Sequence, residues 1–184
     1  MISRIMSVFL QIVLKIRYGK RLKINSVRQI IRLSSKIQVG KTGYVTLGGL
    51  WVQPNVYIKC SCGELSIGNG VSFNRNCVVV CRKKITIGDN CLFGPNVCIF
   101  DNDHLINENG VSKDQFKCSD IIIENGCWIG AGCIILRGTH IGENTVIEAG
   151  MVVKGNIPPN SVVMSTRESR AIPMSFFKEQ NVKC

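Results

Sequence analysis

Residues 123–158 read IENGCW IGAGCI ILRGTH IGENTV IEAGMV VKGNIP, and an apolar residue opens each group of six. The same count runs upstream to residue 67 through groups such as IGNGVS, FNRNCV, IGDNCL, FGPNVC and IFDNDH. Glycine holds the second place in five of the twelve groups, and a small residue usually holds the fifth. The first place is always apolar, and is filled by Ile67, Phe73, Val79, Ile87, Phe93, Ile99, Ile123, Ile129, Ile135, Ile141, Ile147 and Val153.

A strict period of six excludes the common elements taken alone. One face of an α-helix needs apolar steps of three and four, and a straight strand alternates every two residues. A short strand followed by a tight turn satisfies the period, because Gly, Asn and Asp tolerate turn conformations. Three such sides make a triangular coil of about 18 residues, and stacked coils pair as parallel strands. We therefore predict an all-β fold, a parallel β-helix with a short N-terminal helical segment.

The charge of the chain is concentrated in its first third. The 184 residues carry a net charge of +11, yet residues 1–63 hold 11 Lys and Arg and no Asp or Glu. The chain starts with an apolar run that is too short to span a bilayer, which needs roughly 20 residues, and basic residues follow this run. We predict a basic amphipathic helix that either caps its own domain, packs in an oligomer, or contacts an anionic membrane surface through residues 1–24. Nucleic acid is not an expected partner, because no recognition motif is present.

The ten cysteines are not spaced as metal-type pairs, and we do not expect them to form a disulfide framework. Four of them, Cys77, Cys91, Cys127 and Cys133, occupy the fifth place of a hexad, where a small apolar side chain fits a corner. The basic residues follow the apolar run, so no cleavable secretory leader is expected. We therefore predict reduced, packing cysteines in a cytoplasmic protein, with the inner face of the cytoplasmic membrane as the alternative location.

The repeats divide the chain into three parts. We predict a basic helical segment at 1–36, a β-helix domain at 37–165 and a C-terminal tail at 166–184. The hexads stop at residues 105–122, LINENGVSKDQFKCSDII, directly after His104 ends the group IFDNDH. We expect His104 to close its coil and an irregular loop to leave the β-helix after it. Long excursions of this kind are usually functional.

The segment IIIENGCWIGAGCIILRGTHIGENTVIEAGMVVKGNIPPNSVV, at 121–163, carries a family resemblance. It resembles the left-handed β-helix hexapeptide-repeat acyltransferases, especially the branch of galactoside, maltose and polysaccharide O-acetyltransferases. The resemblance covers roughly residues 67–163. It implies a homotrimer with acetyl-CoA lying between neighbouring subunits, and direct transfer of the acetyl group to a hydroxyl of the acceptor.

The resemblance also implies roles for individual residues. It places the general base at His104, and such a base is needed because a sugar hydroxyl is a poor nucleophile until its proton is removed. Asp101 and Asp103 flank the histidine, and either could orient its ring or could simply be a turn residue. Asn74 matches an asparagine that sits beside the acceptor and the thioester, although asparagine is also common in turns.

The donor site is implied in the same way. Trp128, Ala131 and Ala149 match positions along the pantetheine path, with corner packing as the alternative. Cationic groups should meet the CoA phosphates, and the candidates are Lys154, Arg167 and Arg170. The chain departs from the family pattern around these three residues. It also has Cys81 or Arg82 where galactoside enzymes place an acidic sugar-binding residue, so galactosides are not the expected acceptor.

We therefore predict an acetyl-CoA-dependent O-acetyltransferase acting on a sugar or polysaccharide precursor, such as a capsule or O-antigen unit. An antibiotic or xenobiotic acetyltransferase of the same fold and a non-catalytic solenoid scaffold remain alternatives. The γ-type carbonic anhydrases share this fold and hold a metal with three histidines. This chain has only two, His104 and His140, so no metal site is expected.

Overall fold

A computed structural model describes residues 2–26, 29–108 and 110–165 of the chain. Over these ranges the chain begins with helix α1 (Ile2–Tyr18) and a 3-10 turn at Gly19–Arg21, and it continues as short strands. The strands are, in chain order, β1 (Leu22–Ile24), β2 (Ile30–Ile31), β3 (Lys36–Leu47), β4 (Leu50–Val52), β5 (Tyr57–Ile67), β6 (Val71–Phe73), β7 (Val78–Cys81), β8 (Lys84–Ile87), β9 (Leu92–Phe93), β10 (Cys98–Phe100), β11 (Asn102–Asn107), β12 (Gly110–Cys118), β13 (Ile121–Ile123), β14 (Trp128–Ile129), β15 (Ile134–Leu136), β16 (His140–Ile141), β17 (Val146–Ile147), β18 (Val152–Val153), β19 (Asn156–Ile157) and β20 (Val162–Val163).

The strands stack into three faces of a triangular solenoid. The first face contains β7, β10, β15 and β18, and the second contains β8, β13, β16 and β19. Strand β5 bends around the corner and pairs with both β7 and β8. The third face is a seven-stranded parallel sheet in the order β2-β4-β6-β9-β14-β17-β20. The predicted fold is confirmed: the described residues form a parallel β-helix with a short N-terminal helix.

The apolar residue that opens each hexad points into a narrow core. All twelve are at most 4% exposed, and equivalent residues of successive coils stack in register, as in the pairing of Val79, Ile99, Ile135 and Val153. Phe73 and Phe93, the two phenylalanines among these twelve residues, stack with their ring centroids 4.7 Å apart. The core is therefore a set of vertical columns of identical or similar side chains.

The cysteines behave as predicted from their place in the hexad. The four at the fifth place are fully buried, and the described cysteines are all free thiols. The thiol of Cys77 donates to the carbonyl oxygen of Gly94 at 3.1 Å. Burial raises the pKa of Cys77 to about 11, so this thiol stays protonated at neutral pH.

The turns depend on the fourth place of the hexad, which the sequence analysis did not single out. In nine hexads this residue is glycine or asparagine with φ between 54° and 77°, a left-handed conformation that other residues resist. Glycine is needed at the second place of the hexad for a different reason, which is the close approach of the next coil. A Cβ on Gly130 would lie 2.5 Å from the backbone nitrogen of Ala149 in the next coil.

The solenoid starts earlier than expected. Parallel pairing begins upstream of residue 37, because β1 pairs with β3 and β2 pairs with β4. Helix α1 lies against these first strands, and the hydroxyl of Tyr18 donates to the carbonyl oxygen of Ile37 at 3.2 Å. The early coils are longer than 18 residues, as the pairing of Ile30 with Trp51 shows, and so the period of six is hidden there.

The expected excursion at 105–122 is wrong in its start and in its form. The chain leaves the solenoid at Asn102, and β11 and β12 form an antiparallel hairpin in which His104 pairs with Phe116. His104 therefore lies on the hairpin and does not close a coil. The chain rejoins the second face at β13, where Ile121 pairs with Ile85.

Strand β13 offers a direct test of the core, because its three isoleucines alternate between inside and outside. Ile123 is fully buried, whereas Ile122 points outward and is 39% exposed. We expect Ile123→Ala to lower the free energy of unfolding by about 2–5 kcal/mol. The matched control, Ile122→Ala, should cost about 1 kcal/mol or less. Urea denaturation followed by circular dichroism measures both, and equal losses would contradict the assigned inward column.

Candidate active site

The base of the hairpin is held by one buried carboxylate, that of Asp101. This residue is 0% exposed. Its oxygens accept the backbone N–H groups of Arg82, Lys83 and Lys84 at 2.7–3.0 Å and the side-chain amide of Asn102 at 2.9 Å. The backbone N–H groups belong to the preceding coil, so Asp101 joins two coils at the point where the hairpin leaves. Its role is therefore structural.

The ring of His104 is oriented by a backbone carbonyl and not by an aspartate. Nδ1 lies 2.8 Å from the carbonyl oxygen of Ser112 on the other strand of the hairpin. A carbonyl only accepts, so Nδ1 carries the proton in this hydrogen bond. In the neutral ring Nε2 then has a free lone pair. Because the side chain is exposed, that lone pair is accessible to a proton donor from solvent or substrate.

An aromatic and a cationic group complete the surroundings of the histidine. The ring centroid of Phe116 lies 4.5 Å from that of His104, with the planes tilted by 43°. On Phe116 lies the guanidinium of Arg82, with Cζ 3.4 Å from the ring centroid. His104, Phe116 and Arg82 thus form a row that places a positive charge one ring away from the imidazole.

Asp103 contacts a different partner. Its carboxylate forms an ion pair with Nε of Arg137 in the following coil, and the Asp103 side chain is 49% exposed. Like Asp101, it is not bonded to the His104 ring in the described part of the chain. Of the two alternatives for Asp101 and Asp103, orienting the His104 ring or serving another purpose at the turn, the structure therefore favours the second for both residues.

The predicted pantetheine residues share one groove. Trp128, Ala131 and Ala149 line a cavity of about 390 Å³ on the third face, together with Val146, Glu148 and Met164. The lining is mostly apolar, and the indole of Trp128 is 53% exposed. The alanines lie at the corner between the third and first faces, which we name the Ala131 edge.

Two edges of the first face divide the remaining candidates. Asn74 follows β6 and lies on the Ala131 edge, whereas Lys154 follows β18 and lies on the edge between the first and second faces. The hairpin with His104 leaves from this latter edge, which we name the His104 edge. A single chain therefore brings Asn74, Ala131 and Ala149 to one edge and His104 and Lys154 to the other. Arg167 and Arg170 lie outside the described residues.

The second histidine has a local role. Nε2 of His140 lies 2.7 Å from Oε1 of Glu124 on the second face, and this hydrogen bond holds the pKa of the Glu124 carboxyl below its ordinary value. The other oxygen of Glu124 accepts the backbone N–H of Glu143 at 3.0 Å. Over the described ranges, no three His, Cys, Asp or Glu side chains come close enough to bind a metal ion.

Sequence reasoning missed the partners of His104. Phe116 is the only aromatic residue between 105 and 122, and Asn109-Gly110 is a typical hairpin-turn dipeptide, so both signals were available. The Ser112 contact could not be read in advance, because it is made by a backbone oxygen.

The chain is similar to known proteins in both sequence and fold. Residues 84–100 and 120–154 match the family described as the hexapeptide repeat of succinyl-transferase. The chain is similar to the galactoside O-acetyltransferase of Escherichia coli K12, with 36% identity over 77% of this chain. It is also similar to the galactoside O-acetyltransferase of Lactococcus lactis, with 34% identity over 63% of this chain. The chain belongs to the hexapeptide-repeat acetyltransferase family.

The match to these family members is partial in length. The chain spans 66% of the Escherichia coli protein and 56% of the Lactococcus lactis protein. Among solved structures, it is similar in fold to AntD, an N-acyltransferase from Bacillus cereus, with a TM-score of 0.66 and 17% identity. That likeness covers 90% of this chain and 91% of the AntD chain. It confirms the hexapeptide-repeat left-handed β-helix.

The structural role of Asp101 generates a stability prediction. Asp101→Asn puts an amide group against the backbone N–H groups of the preceding coil, so at least one buried donor loses its acceptor. We expect the free energy of unfolding to fall by about 2–3 kcal/mol. Asp103→Asn is the matched control and should cost about 1 kcal/mol or less, because the Asp103 side chain is 49% exposed and asparagine keeps an oxygen that can accept from Arg137. Thermal and urea denaturation measure the difference, and equal losses would show that Asp101 does not hold the corner.

Proposed function

We propose that the chain is an acetyl-CoA-dependent O-acetyltransferase that acts on a hydroxyl of a sugar or polysaccharide precursor, with His104 as the general base. The observation that carries the proposal is the hydrogen bond from Nδ1 of His104 to the Ser112 carbonyl oxygen. It fixes the tautomer in which Nε2 can accept a proton. The similarity to two galactoside O-acetyltransferases supports the same reaction class.

The reaction needs no covalent enzyme intermediate. Nε2 of His104 takes the proton of the acceptor hydroxyl while the hydroxyl oxygen attacks the thioester carbonyl of acetyl-CoA. The new C–O bond forms, the C–S bond breaks, and the CoA thiolate leaves. The imidazolium returns its proton to that thiolate, so the products are the acetyl ester and CoA. The Ser112 carbonyl stabilises the imidazolium by holding its Nδ1 proton throughout.

The groove of Trp128, Ala131 and Ala149 is the proposed site of the pantetheine arm. Its small side chains leave the backbone of the Ala131 edge accessible to the amides of the donor, and its apolar lining suits the alkyl segments. The AntD structure contains bound coenzyme A, which supports a CoA-type donor for this fold. Lys154, Arg167 and Arg170 remain the proposed partners of the CoA phosphates.

Separation of the two edges supports a homotrimer. The Ala131 edge and the His104 edge lie on opposite sides of the first face, on the order of 15 Å apart along its strands. The outward residues of that face are mainly apolar and half-buried, and include Val78, Val80, Cys98, Phe100, Ile134 and Leu136. Packing the Ala131 edge of one subunit beside the His104 edge of another would complete the site and cover apolar surface.

The row of His104, Phe116 and Arg82 favours an anionic acceptor. The guanidinium of Arg82 lies over the Phe116 ring, with Cζ 3.4 Å from the centroid, and Arg82 is only partly buried. A guanidinium can bind a carboxylate or phosphate bidentately. We propose that the acceptor carries such a group near the modified hydroxyl, as a uronic acid or a nucleotide-linked sugar does. The proposed location of the reaction is the cytoplasmic side of the cell.

The base assignment is tested by His104→Ala. We expect kcat/KM to fall by about 10²–10⁴-fold, because the acceptor hydroxyl loses its proton acceptor. The matched control is His140→Ala, which removes the other histidine and should leave turnover close to that of the wild type. Release of CoA from acetyl-CoA is measured with a panel that pairs neutral sugars with anionic ones.

Each alternative has its own outcome in this assay. Equal turnover by wild type and His104→Ala would exclude His104 as the base. The absence of both turnover and CoA binding in the wild-type chain would favour a solenoid scaffold. Preference for neutral sugars would contradict the role assigned to Arg82 and leave the base assignment intact.

The donor groove is tested by filling it. Ala131→Leu adds a branched side chain in the path of the pantetheine arm, so we expect KM for acetyl-CoA to rise roughly tenfold or more with an unchanged melting temperature. Ser72→Leu is the matched control, because Ser72 lines a second cavity of about 390 Å³ further along the same face. A similar rise in both variants, or in neither, would contradict the assigned groove.

A further inference from the structure

Helix α1 is packed with its polar side toward the protein. Ser7 is fully buried, and its hydroxyl donates to the carbonyl oxygen of Gln29 at 2.9 Å and accepts the backbone N–H of Ile31 at 3.1 Å. Gln11, also buried, lies one turn further along the same side. Leu14 and Tyr18 complete this side and join the core. The helix is therefore anchored on the first coil by specific hydrogen bonds as well as by apolar contact.

The opposite side of the helix presents an apolar stripe to the outside. Ile5, Phe9, Ile12 and Ile16 follow each other at steps of four and three and so lie on one line along the helix. Their exposed fractions are between 52% and 79%. If the helix served only to cap the solenoid, its apolar stripe would be expected to face the protein, and Ser7 and Gln11 would be expected to face solvent. The observed orientation leaves the most apolar surface of the helix without a partner among the described residues.

Basic residues border this stripe on both sides. By helical geometry Lys15 and Arg17 lie on opposite flanks of the stripe, about 90–110° from its centre. Beside the helix, Lys15, Lys20 and Lys23 line an open depression of about 490 Å³. No acidic residue occurs before Glu64, so nothing in this part of the sequence neutralises these charges. A surface with negative charges above an apolar layer would match both the basic residues and the apolar stripe.

We propose that α1 docks the protein on the surface of an anionic phospholipid bilayer, with the stripe among the acyl chains and the lysine-lined depression on lipid phosphates. The helix would lie in the plane of the interface, since no helix in the described part of the chain has the length and hydropathy to cross a bilayer. A second copy of the chain is a poorer occupant. Pairing two stripes would bring two clusters of lysine and arginine together. This docking does not depend on the chemistry of His104.

The test uses the full chain and sedimentation with two kinds of vesicle. One kind contains equal parts of phosphatidylglycerol and phosphatidylcholine, and the other contains phosphatidylcholine alone. We expect the wild-type chain to partition to the anionic vesicles about tenfold more strongly, and this preference should weaken at high salt. The double variant Phe9→Glu with Ile16→Glu should lose binding at least about tenfold, because charge cannot enter the acyl layer.

Two further variants separate insertion from simple charge attraction. Ile106→Glu is the matched control, since Ile106 is 75% exposed on the hairpin, and it should bind like the wild type. Replacing Lys15, Lys20 and Lys23 by glutamate should abolish the preference for phosphatidylglycerol. The altered side chains are exposed, so an unchanged melting temperature confirms that each variant is folded.

Several results would overturn the proposal. These are failure of the wild type to bind anionic vesicles, equal loss in Ile106→Glu, or full binding by the stripe variant. If the stripe variant instead changed the molecular mass in solution without any effect on vesicles, the stripe would be a contact between copies of the chain.

Discussion

Coil closure is the constraint on which the rest of this structure depends. Most corners are turned by a residue with positive φ, and in nine of the twelve hexads the chain supplies glycine or asparagine for this at the fourth place. Only then can the next strand begin directly above its predecessor, so that the inward isoleucines form columns and the backbone groups pair between coils. Where this regularity is relaxed, at Asp101, the chain needs a fully buried carboxylate to satisfy the backbone of the coil below.

That carboxylate links the fold to the candidate chemistry. Asp101 fixes the point at which the hairpin leaves, and the hairpin in turn holds His104 between the Ser112 carbonyl oxygen and the Phe116 ring. The orientation of the proposed base is therefore inherited from a corner of the solenoid. A loop anchored only at its ends would leave the imidazole free to rotate. An antiparallel hairpin does not, because its ladder sets the register of both strands.

The regular coils of the molecule could be predicted from the sequence. The hairpin and the first coils could not, because their strand pairing does not follow the six-residue period. The columns from Ile67 to Val153 were predictable because one apolar residue in six has a single explanation in a triangular coil. The first coils were not, since Ile30 pairs with Trp51 at a longer spacing. The hairpin was missed because the pairing of His104 with Phe116 leaves no period in the sequence, despite the turn signal at Asn109-Gly110. The family resemblance is what singled out His104 as the proposed base. The contacts of Asp101 and Asp103 needed coordinates, because a carboxylate at a turn has no fixed partner.

If His104 is the base and α1 docks on a bilayer, the position of α1 relative to the hairpin constrains the kind of acceptor. Helix α1 lies against β1 and β2 at the start of the solenoid, and the hairpin leaves after β10, several coils later. With coils about 4.8 Å apart, His104 stands roughly 20 Å from the helix along the solenoid axis. If the stripe lies in a bilayer and the solenoid axis stands along the bilayer normal, the modified hydroxyl is held at about that height above the lipid phosphates. A simple lipid headgroup is too short for this. An acceptor joined to the membrane through an anionic link and an extended polar portion would fit, and its negative charge would suit Arg82.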